Sequence, residues 1–183
     1  MPSVLIPLAQ GCEELEAVTV IDLLRRAGLE VITAGLDDQT VTASRGTRLL
    51  ADTTLDAALL RDYDMVVLPG GQPGADNLDQ DSRIHALLHR MSQQGKYTAA
   101  ICAAPKVLAT AGLLAGKHAT GYPGVLEKLN LGDVQLNSQA VVTDGKVITS
   151  RGPGTAMDFA LELIELLAGR EKRAQVEAAL QRS

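Results

Sequence analysis

Cys102 stands where an apolar run ends and a helical pattern begins, in the stretch YTAAICAAPKVL. A side chain at such a strand-to-helix turn projects over the edge of a sheet, as the nucleophile of an elbow motif does. The unpaired N–H groups of the following helix would favour the thiolate and lower the pKa of this thiol. The pattern alone leaves two interpretations open: a reactive thiol that faces a pocket, or a small apolar residue of the core.

Three glutamates, Glu13, Glu14 and Glu16, open the first predicted helix. Carboxylates there complement the helix dipole and need no further role. Alternatively, one of them points inward to Cys102. Two unit charges about 4 Å apart repel by about 4 kcal/mol at an effective dielectric of 20. That glutamate would therefore hold a proton, donate it to a hydrogen bond with the thiolate and act as acid or base. The spacing does not choose among the three. Cys12 precedes them, and its acidic neighbours oppose a thiolate.

A glycine-rich loop, LPGGQPG (68–74), follows another predicted strand. Paired glycines allow the backbone to approach a ligand closely, and their N–H groups can form an oxyanion site. The same letters also fit a simple turn. The loop has neither the glycine spacing of a dinucleotide-binding fold nor the lysine of a phosphate-binding loop.

The histidines and one lysine give weaker signals. His85 and His89 have a metal-ligand spacing, but without a third ligand we predict an exposed helix face and no metal. His118 lies in a predicted loop, and it is the one candidate base for a peptidase. Lys106 falls in the first turn after the cysteine, where we expect it to point into solvent.

Apolar runs alternate with helical patterns along the chain. The predicted strands are 3–9, 29–35, 64–70, 97–102 and 145–150, and small hairpins are predicted at 40–55 and 141–149. Continuous apolar runs are typical of strands buried on both faces, so we predict an α/β fold with a mostly parallel sheet and helices on both sides. Ligands of such folds bind at the carboxyl ends of the strands. Pro7 predicts that the first strand ends or bends near it.

Helices are predicted between and after these strands. Their ranges are 13–27, 81–94, 105–114, 155–168 and 170–181. Along successive turns of the first helix we place Leu15, Val18, Ile21 or Asp22, and Leu24 or Arg25. In 155–168 we place Met157, Ala160, Leu161 and Ile164 on one face.

Length and composition limit the kinds of protein this chain can be. The 183 residues predict one domain, 1–183, with a self-sufficient core. A net charge of −5 and 2% aromatic residues argue against a nucleic-acid binder. We find no signal peptide and no run that could cross a membrane, so we expect two free cysteines in the reducing cytoplasm.

The chain resembles the ThiJ/PfpI superfamily, and within it the branch of the Parkinson-disease-associated deglycase, most closely the bacterial YajL-like members. The matching motifs are GCEELEAVTVIDLLRRAG, ASRGTRLLAD, VVLPGG, AAICAAP and ITSRGPGTAMDFAL…LLAGREK. The resemblance implies a flavodoxin-like three-layer sandwich and a homodimer. It also implies that Cys102 is the reactive cysteine, Glu16 its protonated partner, and the backbone of Gly71 and Ala103 the oxyanion site.

Four further residues are assigned to the pocket or the interface: Glu13, Arg26, Arg45 and Tyr122. Some members of the family have a histidine where this chain has Tyr122, so a histidine relay is not expected. The resemblance implies cofactor-free conversion of methylglyoxal or glyoxal to lactate or glycolate, or deglycation of glyoxal adducts on proteins. The alternative is a redox sensor and chaperone that acts through oxidation of Cys102.

Overall fold

A seven-stranded sheet forms the centre of the molecule in the computed structural model, which describes residues 1–182. The strands are β1 (Ser3–Leu8), β2 (Glu30–Gly35), β3 (Val41–Thr42), β4 (Arg48–Leu49), β5 (Thr53–Thr54), β6 (Met65–Leu68), β7 (Tyr97–Ile101), β8 (His118–Ala119), β9 (Gln135–Leu136), β10 (Val141–Asp144) and β11 (Val147–Ser150). The sheet order is β10-β11-β7-β6-β1-β2-β5. Only β10 and β11 pair antiparallel within it.

Helices cover both faces of this sheet. They are α1 (Glu14–Arg26), α2 (Leu55–Ala58), α3 (Gly74–Gln80), α4 (Ser82–Gln93), α5 (Pro105–Thr110), α6 (Ala156–Ala168) and α7 (Arg170–Ala179). Alternate strand residues enter opposite cores: Val4 and Ile6 join the residues of α1 and α6, whereas Leu5 joins those of α4 and α5. The predicted mostly parallel sheet between two helical layers is confirmed.

The strand order reverses direction at β1. From β1 the chain proceeds to β2 and β5 on one side, and later to β6, β7 and β11 on the other. Open parallel sheets have a crevice at such a reversal, outside the carboxyl ends of the strands. The loops after β1, β6 and β7 meet at this edge, and they carry the candidate residues of the three motifs.

The first strand ends close to Pro7, as the sequence predicted. Strand β1 continues to Leu8 and pairs with β2 along its whole length. Its pairing with β6 stops at Leu5, so Pro7 lies where one side of the strand makes no ladder hydrogen bonds. The missing N–H of proline is tolerated there.

The predicted apolar face of α1 is wrong at Leu15 and Val18 and right at Leu24, which is buried. Leu15 and Val18 are 52% and 46% exposed, while Val20 and Leu23 are buried. In α6, Met157 is also exposed, although the other apolar residues predicted for its face are buried. The two helices pack against each other, so these exposed side chains are an apolar feature of one side of the molecule.

Several boundaries differ from the prediction. The hairpin at 40–55 is limited to β3 and β4, because β5 instead joins the large sheet beside β2. The helix predicted at 105–114 ends at Thr110, and the short polar helix α3 was not predicted. The hairpin at 141–149 is confirmed, with its turn at Gly145 in the left-handed region (φ 62°). No helix within residues 1–182 combines the length and apolar character needed to cross a membrane.

Candidate active site

Cys102 occupies a sharp turn between β7 and α5. Its φ of 65° lies in the left-handed region, which residues other than glycine rarely adopt. The surrounding backbone fixes this conformation, since the N–H of Cys102 donates to the carbonyl of Ser150 (3.0 Å) and the N–H of Tyr122 donates to the carbonyl of Cys102 (2.7 Å). Strained backbone of this kind is typical of functional sites. The structure thus has the elbow that the sequence predicted.

Glu16 is the glutamate of the three that points inward. It is fully buried (0% exposed) on the inner face of α1. The N–H of Gly70 donates to its Oε2 (2.8 Å), while Oε1 has no hydrogen-bond partner within residues 1–182. Burial raises the pKa of this carboxyl to about 7, although hydrogen bonds with Cys102 and Gly70 oppose the shift. Glu16 can therefore hold or release a proton near neutral pH.

The pKa of Cys102 is not lowered, contrary to our prediction. Burial, the charge of Glu16 and the hydrogen bond to its carboxyl raise the pKa of the thiol to about 12, and the backbone N–H groups of Gly71 and Ala103 oppose the rise. Helix α5 has only six residues, too few to outweigh these effects. The two acids titrate as a pair, which carries one proton and one negative charge between pH values of about 7 and 12.

The glycine loop is shaped by close approach to both acids. A Cβ at Gly70 would lie 2.7 Å from the Cβ of Cys102 and 2.8 Å from Oε2 of Glu16. Gly71 has a φ of 93°, and a Cβ there would lie 2.4 Å from the backbone nitrogen of Glu13. Glycine at both positions lets the loop place the N–H groups of Gly70 and Gly71 beside the carboxyl and the sulfur, respectively.

The sulfur-bearing side chain of Cys102 is 8% exposed and opens onto a cavity of about 410 Å³. The lining consists of Glu13, Ser44, Arg45, Gly71, Gln72, Cys102, Ala103, Tyr122, Val125 and Pro153. Glu13 accepts a hydrogen bond from the hydroxyl of Ser44 (2.9 Å), and the N–H of Arg45 donates to Glu14 (3.0 Å). These bonds join the β3–β4 hairpin loop to the start of α1, so the loop forms one wall of the cavity.

Most of the residues predicted for the site are brought together by the fold, but two are not. Arg26 forms an ion pair with Asp22 (2.8 Å) and does not line the cavity. His118 bonds to Asp144 through Nδ1 (3.3 Å) and is likewise absent from the lining. It provides no base beside Cys102, which removes the geometric support for a peptidase.

We had expected Lys106 to point into solvent, but it does not. Its ammonium group forms an ion pair with Asp76 on α3, and the side chain is only 17% exposed. The partner lies on a helix that the sequence pattern did not predict. The position of the lysine therefore could not have been inferred from the residues around it.

The two helical histidines bond to protein oxygens. His85 Nε2 lies 2.8 Å from the carbonyl oxygen of Asp79, and His89 Nε2 lies 2.8 Å from that of Ala111. No three His, Cys, Asp or Glu side chains of residues 1–182 are grouped so that they could hold a metal ion. That the protein needs neither a metal nor an organic cofactor stays a prediction.

Sequence reasoning missed several residues of the cavity wall. Ser44, Gln72, Val125 and Pro153 all line it, yet none was singled out. Three of them had a signal, since Ser44 and Pro153 lie within the quoted motifs ASRGTRLLAD and ITSRGPG, and Gln72 lies within the quoted loop LPGGQPG. Val125 had none, because it follows an irregular loop whose path only the fold determines.

The DJ-1/PfpI family model matches residues 2–166 of this chain. Protein dj-1beta of Drosophila melanogaster is 44% identical over 179 residues, which are 97% of this chain and 96% of that protein. Glutathione-independent glyoxalase DJR-1.2 of Caenorhabditis elegans is 36% identical over 92% of this chain and 89% of its own length. Protein DJ-1 homolog A of Arabidopsis thaliana is 43% identical over 97% of this chain, which spans less than half (46%) of that longer protein.

Solved structures agree with these relatives. The crystal structure of Drosophila melanogaster DJ-1beta has a TM-score of 0.94 at 42% identity, covering 100% of this chain and 98% of that one. The structure described as Toxoplasma gondii DJ-1, oxidized, has a TM-score of 0.94 at 39% identity, covering 100% of both chains. The finer resemblance to YajL stays a prediction. The agreement of motifs, fold and relatives over nearly the whole chain shows that this protein belongs to the DJ-1/PfpI family.

Proposed function

We propose that this protein is a cysteine-dependent enzyme that converts methylglyoxal and glyoxal to lactate and glycolate without glutathione or any cofactor. The observation that carries the proposal is the contact between Cys102 and a fully buried Glu16 whose pKa is about 7, below an open cavity. A nucleophile and a proton carrier are the two groups this reaction needs. The name of the Caenorhabditis elegans relative supports the same kind of activity.

The first step is addition of the Cys102 thiolate to the aldehyde carbon of methylglyoxal. The carbon–sulfur bond forms, and the electron pair of the carbonyl moves onto its oxygen. The N–H groups of Gly71 and Ala103 act to lower the pKa of the thiol, and both residues line the same cavity, so they are placed to stabilise this developing oxyanion. Glu16 then supplies the proton, which gives a neutral hemithioacetal and leaves a carboxylate.

The second step moves one proton between the two adjacent carbons and one between their oxygens. The Glu16 carboxylate removes the proton from the carbon bonded to sulfur, and the hydroxyl proton of that carbon passes to the neighbouring carbonyl oxygen by way of an ene-diol. Glu16 then returns its proton to the neighbouring carbon, which is reduced as the first is oxidised to a carbonyl. The product is a thioester of lactate. Water adds to the thioester carbonyl, the thiolate leaves, and lactate is released. The net reaction consumes one water and needs no external oxidant or reductant.

Glyoxal adducts on protein side chains are a second substrate class for the same chemistry. The cavity of about 410 Å³ is open to solvent and far larger than methylglyoxal requires. We therefore propose as partners both small dicarbonyls and glycated proteins, and place the protein in the cytoplasm. We also propose that it forms a homodimer, since Leu15, Val18 and Met157 expose apolar surface on two helices that pack side by side.

The test is conversion of methylglyoxal to lactate without glutathione, measured for wild type, Cys102→Ala and Glu16→Gln. Both variants are expected to lose the activity, and Cys12→Ala should retain it as the matched control. Absence of lactate from folded wild-type protein would overturn the proposal. If only Cys102→Ala loses the activity, Cys102 is the nucleophile but Glu16 is not needed for proton transfer.

A redox sensor and chaperone is the second candidate. A solved relative from Toxoplasma gondii is described as oxidized. In the present chain, the Cys102 side chain opens onto a cavity and contacts two backbone N–H groups that could equally hold sulfinate oxygens. Peroxide titration followed by intact mass would show selective addition of two oxygen atoms to Cys102 under this role. Equal oxidation of Cys12 and Cys102 would argue against it.

A further inference from the structure

Lys106 and Asp76 form a partly buried ion pair between two helices. The pair connects the first turn of α5 to the first turn of α3. Only 17% of the lysine side chain is exposed, and burial lowers the pKa of its ammonium group. An ammonium group removed from water in this way is stable only while its partner stays in place. The pair thus holds two helix starts at a fixed separation.

These two helix starts continue directly from the segments that contact the sulfur of Cys102. Helix α3 follows the loop with Gly71, and α5 follows the elbow with Ala103. Both residues line the cavity beside Cys102, and their backbone N–H groups act to lower the pKa of its thiol. Lys106 and Asp76 do not line the cavity, so neither contacts a substrate. Any effect they have on Cys102 acts through the positions of the two loops or through their charges across space.

We infer that the Lys106–Asp76 pair is a positioning device that sets the spacing between the two backbone N–H groups at the Cys102 sulfur. The inference rests on the proposed role of this thiol as a nucleophile. It concerns the reactivity of the sulfur itself, which is measurable with iodoacetamide whether or not methylglyoxal is the substrate. Failure of the proposed enzymatic function would therefore leave the test intact.

A second link between the same helices provides a matched control. The hydroxyl of Thr110 at the end of α5 donates to the carboxylate of Asp79 on α3. This link lies one helical turn further along α5 from Cys102 than Lys106 does. Breaking it with Thr110→Val loosens the packing of α3 on α5 without freeing the helix starts. This variant therefore distinguishes a general loosening of the packing between α3 and α5 from a specific effect on the loops at Cys102.

The experiment is the pH profile of iodoacetamide alkylation of Cys102, followed by peptide mass, together with thermal unfolding of each variant. Asp76→Asn and Lys106→Met break the pair from either side. Both are expected to slow alkylation near neutral pH by about fivefold, because a bond to the charged sulfur is weakened. The inflection of the profile should move upward by about half a pH unit or more. Lys106→Arg should restore the rate, and Thr110→Val should lower only the unfolding temperature.

The two pair variants also separate positioning from a direct effect of charge. Asp76→Asn removes a negative charge, so a through-space effect would speed alkylation or leave it unchanged, whereas positioning requires that it slow. The remaining charges near Cys102 are Glu16 below it and Glu13 and Arg45 in the cavity wall, and they are the same in every variant. Opposite effects of Asp76→Asn and Lys106→Met would overturn the inference, as would equal slowing by Thr110→Val. If Lys106→Met fails to fold, the result for Asp76→Asn alone tests the inference, because Asp76 is the more exposed partner.

Discussion

The two cysteines of this protein lie at the same edge of the sheet and have nearly the same acidity, yet only one of them has the surroundings of a nucleophile. Cys12 follows β1 and Cys102 follows β7. Burial raises the pKa of each thiol to about 12, and a nearby glutamate adds to the rise, Glu14 for Cys12 and Glu16 for Cys102. Acidity therefore does not tell them apart.

The two thiols differ in their access to solvent and in whether the neighbouring glutamate can carry a proton. Cys12 is completely buried, and the backbone at Gly74 packs so closely against it that a Cβ there would lie 2.6 Å from the Cα of Cys12. Its glutamate cannot serve as a proton carrier, because hydrogen bonds from its own N–H and those of Arg45 and Thr47 overcome the effect of desolvation and lower the pKa of Glu14 to about 2. Cys102 instead has a cavity and a carboxyl that titrates near neutral pH.

The largest expected difference between the two thiols is their rate of alkylation. Under native conditions iodoacetamide should label Cys102 on the order of 1,000-fold faster than Cys12, because labelling of a fully buried thiol requires local unfolding. Peptide mapping by mass spectrometry after timed labelling measures both rates in one sample. In denaturant the two rates should converge, which serves as the control. Comparable native rates would show that access does not distinguish the thiols.

Glu16 should impose a pH dependence on stability that its neutral isostere lacks. Its pKa is raised from an ordinary value of 4.5 to about 7 in the folded protein. Its contribution to folding is thus full below pH 4.5 and is lost as the pH rises through 7. For this fully buried group the loss amounts to about 3 kcal/mol. Glu16→Gln should match wild type at pH 4.5 and exceed its free energy of unfolding by up to that amount at pH 8.5.

Chemical denaturation at the two pH values measures this difference. Glu14→Gln is the control, since the carboxyl of Glu14 has a lowered pKa and its contribution does not change between these pH values. Parallel pH dependence in wild type and Glu16→Gln would mean that the buried carboxyl does not take up a proton on folding.

The sequence contained a signal for Glu16 that we read incorrectly. Glu16 shares the buried face of α1 with Val20 and Leu23, at the spacing of one helical stripe. We placed Leu15 and Val18 on that face instead, because apolar residue type was weighed above position. The choice of Glu16 then came from family resemblance. A carboxyl within an apolar stripe is the pattern that would have selected it from the residues alone.

The strands and the elbow were predictable because continuous apolar runs and the Cys-Ala-Ala-Pro turn are local signals. Helix α3 was not, since it has seven residues and its one long apolar side chain, Leu78, gives no periodicity. Because α3 was not predicted, the ion pair of Lys106 with Asp76 was not predicted either. The raised pKa of Cys102 was not predicted, because its largest cause is burial, which only the fold determines, although the sequence analysis had considered the contact with a glutamate.

Two glycines give a smaller, matched test, since each packs against one of the two cysteines. Gly70→Ala would place a Cβ 2.7 Å from that of Cys102, and Gly74→Ala would place one 2.6 Å from the Cα of Cys12. Each should lower the free energy of unfolding by about 1–3 kcal/mol through overpacking. Only Gly70→Ala should also displace Glu16 and shift the pH profile of Cys102 alkylation. An equal shift in Gly74→Ala would mean that the two cysteine loops are coupled.

The smallest effect is expected at Tyr122 in the cavity wall. Its ring is half exposed and forms part of the wall above Cys102, and within residues 1–182 its hydroxyl makes no hydrogen bond. Tyr122→Phe keeps the wall and should leave kcat and KM for methylglyoxal within about twofold, since an exposed hydroxyl without a partner contributes little. Tyr122→Ala opens the wall and should raise KM more than it changes kcat, because the residue shapes the cavity and takes no part in proton transfer. A large fall in kcat for Tyr122→Phe would instead assign the phenol a proton-transfer role, and Glu16 would then not be the sole acid beside Cys102.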